Sequence, residues 1–202
     1  MMERGDTGSP AGVGQAWTRR HDGLTVSAVR DLVAGPDLLT DDERTCLERL
    51  GLEANRRAAW VRGRVLARRL LGEQVSVIAD LDGRPLAAGW SDGFAHDGRW
   101  TAAIVAPYRP TVVDIVAGGP ARAAAALRRV QVVTDAEPTA TWAALECALK
   151  LAGWHVAALL DRPVSVASKH DHLEVTGLAA PVIVQIARVA DATVAWSTGA
   201  LP

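Results

Sequence analysis

Lysine is almost missing from this chain. Its 202 residues include two, Lys150 and Lys169, and arginine carries the rest of the positive charge. Cysteine is as scarce: Cys46 and Cys147 stand far apart, each inside an expected helix. Two such thiols make no disulfide framework and read as small buried apolar residues of a cytoplasmic protein. An excess of one charge is missing too. The net charge is −1 and the pI is near 6.5, so nothing global points to nucleic acid or an anionic membrane. No apolar run is long enough to cross a bilayer, and the first 20 residues lack the pattern of a secretory signal. What remains is a 49% hydrophobic chain, enough for one well-packed domain or two small halves sharing a core.

Residues 1 to 20 are rich in Gly, Ser, Thr and Pro and read as a loose tail. Thr40-Asp41-Asp42-Glu43 has the form of a helix start, with Glu43 at the reciprocal capping position. A second helix is expected from Glu53 to Leu71, with Trp60, Val61 and Leu66 inward and Gly72 stopping it. Its other face carries Arg56, Arg57, Arg62, Arg64, Arg68 and Arg69. Strands are expected at 75–80, 94–105 and 111–116, and helices at 121–130 and from Pro138 to Gly153. Short strands follow at 163–168, 172–176, 181–189 and 192–197. The order is helices, strands, helices, strands, and the fold class is α+β.

Two segments carry chemistry. Thr111-Val112-Val113-Asp114-Ile115-Val116 is an apolar strand with one acid, and positions 114 and 116 share a face. Trp142-Ala143-Ala144-Leu145-Glu146-Cys147-Ala148-Leu149-Lys150 is a helix with Glu146 and Lys150 one turn apart. Taken singly, each has a plain reading. Asp114 alone is a paired buried acid, Glu146 and Lys150 an ordinary exposed pair, His96 a loop histidine, and the arginines a solvated face. His170-Asp171-His172 sits at an expected hairpin turn, and a metal site there is the weaker reading. Trp142 reads as core.

Taken together, these segments resemble the signatures of the 4′-phosphopantetheinyl transferases, G-V-D-x-E and W-x-x-K-E-x-x-x-K. Arg57-x-x-Trp60-x-x-x-Arg64-x-x-x-Arg68 resembles that family's arginine-rich helix. Gly83-Arg84-Pro85 resembles its G-K-P turn, and Phe94-Ala95-His96-Asp97 its F-N-x-S-H segment. The resemblance covers nearly everything after residue 38, in the family's order.

It implies two similar α/β lobes related by pseudo-two-fold symmetry, with the active cleft between them. They would span 21–106 and 107–202 after a disordered tail at 1–20. It implies phosphopantetheine transfer from coenzyme A to a serine of an acyl or peptidyl carrier protein, as in bacterial secondary metabolism. Asp114 and Glu146 would ligate Mg2+, and Glu146 would double as base. His96, Lys150, Arg84 and Arg64 would hold the coenzyme A phosphates. The protein would be a cytoplasmic monomer with no nucleic acid or membrane partner.

The departures are as informative. Val116 stands where the family has a second acid, Leu145 where it has lysine, Ala95 where it has serine, and Val113 where it has glycine. All four lower polarity, so Mg2+ would bind weakly or not at all. Two alternatives follow. The cleft performs acid–base chemistry on a polyketide or acyl intermediate (cyclisation, dehydration or isomerisation), or the chain binds a carrier protein without catalysis.

Overall fold

Two six-stranded sheets divide the chain, and the change from one to the other falls at residues 108–110. The computed structural model describes residues 15–21, 23–72, 75–80 and 85–199. In the first half, β1 (Ala16–His21) and β2 (Leu24–Arg30) precede two helices, α1 (Asp41–Leu50) and α2 (Ala54–Leu71). Four strands follow: β3 (Val77–Ala79), β4 (Pro85–Ala87), β5 (Trp90–Asp97) and β6 (Trp100–Pro107). Their order across the sheet is β1-β2-β6-β5-β4-β3, antiparallel throughout.

The second half opens with β7 (Thr111–Val116), α3 (Pro120–Arg129), β8 (Val133–Thr134) and α4 (Pro138–Ala152). It closes with β9 (Ser165–Ser168), β10 (Leu173–Thr176), β11 (Val182–Val189) and β12 (Ala192–Thr198). The order is β7-β12-β11-β10-β9-β8, with β8 and β9 parallel. The fold is α+β, with two sheets and four α-helices among the described residues.

Local chemistry explains the elements that position the site. Thr40 and Glu43 close a reciprocal capping box on α1. Glu43 is fully buried and also accepts from the Val77 amide at 2.8 Å, which pins β3 to the helix start. Pro138 opens α4, and Gly153 ends it in the left-handed region at φ 70°. The inner face of α4 puts Ala144, Leu145, Ala148 and Leu149 into a core with Val116, Leu127, Val166 and Val184.

A second core joins the halves. Val26, Ala95, Trp100 and Ile104 of the first sheet pack with Val113, Ile115, Val194 and Trp196 of the second. The approach is close at Gly93. A Cβ there would stand 3.2 Å from the Thr111 carbonyl and 3.4 Å from Val112 Cα.

Two expectations change. The expected tail runs to residue 20, yet β1 begins at Ala16, held by its ladder to β2 and by Trp17 against Trp196 (centroids 5.8 Å apart). One strand at 94–105 is instead the hairpin of β5 and β6. It turns at Gly98, whose φ of 57° suits glycine. No described helix is long and apolar enough to cross a membrane.

Candidate active site

The alternation of β7 sets the site. Asp114 and Val116 face α4, while Val113 and Ile115 face the other sheet. Glu146 and Lys150 are one turn apart on α4 and lie on the same groove. His96 and Asp97, at the end of β5, close it from the first half. The resulting cavity has a volume of about 440 Å³ and is also lined by Val116, Arg122 and Trp142. Four of the residues expected from the sequence therefore meet: His96, Asp114, Glu146 and Lys150.

Asp114 is 5% exposed. Its Oδ1 accepts from Lys150 Nζ at 2.5 Å, and the same ammonium donates to the Val113 carbonyl at 3.2 Å. Its Oδ2 has no well-formed hydrogen bond, although the Glu146 carboxyl stands within interaction range of it. Burial raises the Asp114 pKa above the ordinary carboxylate range, against the pull of Lys150. Glu146 is pushed up to about 7, by burial first and then by the negative charge of Asp114. The two acids titrate as a pair. His96 is pulled down to about 4 by burial and by the cations Arg62, Arg64 and Lys150, so it is neutral. Its Nδ1 lies 3.2 Å from Thr101 Oγ1.

The fit of a divalent cation follows from these acids. Two carboxylates share a groove, one buried oxygen has no good partner, and both groups hold protons too tightly for acids in water. A hard cation would relieve that. Mg2+ accepts one or two carboxylates when water and phosphate oxygens complete its octahedron, so Asp114 and Glu146 fit a reduced site. No group of three or more His, Cys, Asp or Glu among the described residues has the geometry to hold a metal alone.

Several expected residues lie elsewhere. Arg84 is outside the described residues. Arg64 is 4% exposed and lies over the rings of Trp60 and Phe94, at 4.0 and 4.8 Å, outside the cavity lining. The arginine face of α2 is therefore not uniformly solvated. Arg68 donates to the Leu38 carbonyl and lies 3.6 Å from Glu43. His172 Nδ1 is 2.7 Å from its neighbour Asp171.

The low-polarity departures also separate. Val116 lines the cavity, as expected. Leu145 and Ala95 do not: both are core residues, 0% and 5% exposed. Leu145 precedes Glu146 and is turned about 100° away on the helix. Ala95 alternates with His96 and faces the inter-sheet core. Neither removes a polar group from this cleft. Val113 is core as well and borders a neighbouring cavity.

Two residues of the cleft had no role assigned from the sequence, Asp97 and Arg122. Asp97 accepts from the Ala117 and Gly118 amides at 2.8 and 3.3 Å and fastens the loop after β7 to the first half. Arg122 reaches Asp97 at 3.5 Å and adds a cation to the cleft wall. Trp142 is half-buried, packs against the core as expected and also lines the cleft.

No family model matches the chain, and no curated protein matches it.

Proposed function

We propose that this chain is a 4′-phosphopantetheinyl transferase-like protein. In this reading the two halves are the family's two lobes, and the groove between them receives the pyrophosphate of coenzyme A. One observation carries the proposal. Asp114, Glu146, Lys150 and His96 come from three separate segments and line one cavity at the seam of the two sheets.

The chemistry follows from the residues. Lys150 and Arg122 supply positive charge to the pyrophosphate. The Thr101 hydroxyl lies beside His96 Nδ1, and in the tautomer where it donates there, neutral His96 carries its proton on Nε2 and offers it to a phosphate oxygen. Glu146, once ionised, takes the proton from the carrier-protein serine. The serine oxygen then bonds to the phosphorus bearing the pantetheine arm. The bond from that phosphorus to the bridging oxygen breaks, and the nucleotide phosphate leaves with the electron pair. A Mg2+ held by Asp114 and Glu146 would supply charge neutralisation of the pyrophosphate.

The test is intact mass of an apo acyl carrier protein incubated with this chain, coenzyme A and magnesium. The expected product is heavier by one phosphopantetheine group. Glu146→Gln lowers the rate by about 10²–10⁴-fold. A carrier of unchanged mass, with no heat on titrating coenzyme A, removes the transferase reading.

Acid–base chemistry on a carrier-bound acyl or polyketide chain is the second reading. Val116 lacks a ligand atom, Asp114 already has a cation in Lys150, and Glu146 titrates near 7, where a general acid or base works best. It predicts that Glu146→Gln abolishes turnover in a preparation that never binds coenzyme A.

A further inference from the structure

A second cavity, of about 800 Å³, lies where β5 and β7 begin and α4 ends. Lys150 borders both cavities, but the groups at the centre of this one are different. Asp92 is 8% exposed, and neither of its carboxylate oxygens has a well-formed hydrogen bond, its own backbone N–H being the one backbone donor within interaction range. Thr111 is 7% exposed, and its hydroxyl is also unpartnered. Both side chains line the cavity. Three buried oxygens without well-formed hydrogen bonds cost the fold several kcal/mol together, on the order of 1–3 each. Such a cost persists where a ligand supplies the missing donors.

The charge nearby does not meet the need from within. Arg64 attracts Asp92, yet burial dominates and raises that carboxyl to about 7. The guanidinium lies over Trp60 and Phe94, with its Nε and Nη2 unpartnered. Trp90, Phe94, Val112 and Trp154 supply the apolar and aromatic part of the wall, and the Lys150 ammonium that also borders it is held by Asp114 and the Val113 carbonyl. The Trp154 ring already carries a cation, for Arg162 rests 4.6 Å from its centroid. A carboxylate among aromatic faces is a setting for a positively charged nitrogen. An anion would meet Asp92 head on.

We propose that this cavity binds an organic ammonium compound, with its N–H groups donating to Asp92 and Thr111 and its apolar body against Trp90, Phe94 and Trp154. The proposal uses neither Asp114 nor Glu146 and stands apart from the transferase reading.

The test is calorimetric titration of the full chain with phenethylamine hydrochloride, its neutral analogue phenethyl alcohol, and phenylacetate. The amine saturates at millimolar concentration, about tenfold or more tighter than the alcohol, and phenylacetate does not bind. Asp92→Asn brings the amine down to the level of the alcohol. Thr111→Val weakens it by about threefold. Glu146→Gln leaves amine binding unchanged, so failure here and failure of the transferase reading are distinguishable. Equal binding of amine and alcohol, no saturation by the amine, or full affinity in Asp92→Asn overturns the proposal. If Asp92→Asn does not fold, the three probes on the native chain decide alone.

Discussion

Val116→Glu tests whether the cleft is a cation site that lacks one ligand. Val116 is 7% exposed, lines the same cavity as Asp114 and Glu146, and shares the strand face of Asp114. The introduced carboxyl would sit beside two acids already raised by burial, Glu146 also by the negative charge of Asp114. Glu146 goes from 4.5 to about 7 in that setting. A similar rise for the new group, at about 1.4 kcal/mol per pKa unit, gives ~3 kcal/mol of destabilisation. The open mouth of the cleft screens part of this, leaving about 2 kcal/mol. For a chain of this size that is a fall in Tm of about 4–8 °C.

The sign with pH is fixed. A carboxyl whose pKa is raised on folding costs nothing below the ordinary carboxylate range, and the full amount above its raised value. Magnesium reverses the cost. At a concentration a hundredfold above its Kd, a cation that binds only the folded state returns about 2.7 kcal/mol. The assay is thermal melting of variant and parent, with and without magnesium, below and above neutrality. The expected result is a variant weaker than the parent only when its carboxyl is ionised, and rescued by magnesium. A variant equally weak at acid pH, or indifferent to magnesium, refutes the reasoning. The damage would then be to packing, and the cleft would not be a cation site.

Other outcomes follow from the same structure. Glu146, raised to about 7, makes the fold lose stability as pH rises from the ordinary carboxylate range through about 7; Glu146→Gln removes that slope, as urea denaturation across that range reads. Thr40→Ala opens the capping box of α1 and costs about 1 kcal/mol, measured by the same denaturation. Gly93→Ala forces a Cβ against the backbone of Thr111 and Val112 and costs about 1–3 kcal/mol. A change of only a few tenths there would mean that β5 and β7 pack less tightly than described.

Much of the second half was legible because its punctuation is local. Pro138 and Gly153 bound α4 within one residue of expectation, and short apolar runs between turns mark β9 to β12. Period-2 alternation also placed Asp114 and residue 116 on one face. The beginning of the chain was harder to read. Trp17-Thr18-Arg19-Arg20 is polar on its exposed face, and its order comes from pairing with β2 and from Trp196, near the far end of the sequence. The hairpin of β5 and β6 was missed because Asp97-Gly98-Arg99 interrupts a run that otherwise looks like one strand.

At the site, the resemblance to the transferase signatures singled out the carboxylates and the lysine. It failed at Leu145 and Ala95, because a resemblance in letters does not say which side of a helix or strand faces the cleft. It also missed Asp92. A lone acid in a strand looks ordinary until its burial without a well-formed hydrogen bond comes into view.

Titration of coenzyme A into the chain in the presence of magnesium tests the central claim most directly. A cleft that handles its pyrophosphate gives saturable heat, weakened by omitting magnesium and by Asp114→Asn, and lost in Lys150→Met. Absence of heat, or heat untouched by both substitutions, contradicts it.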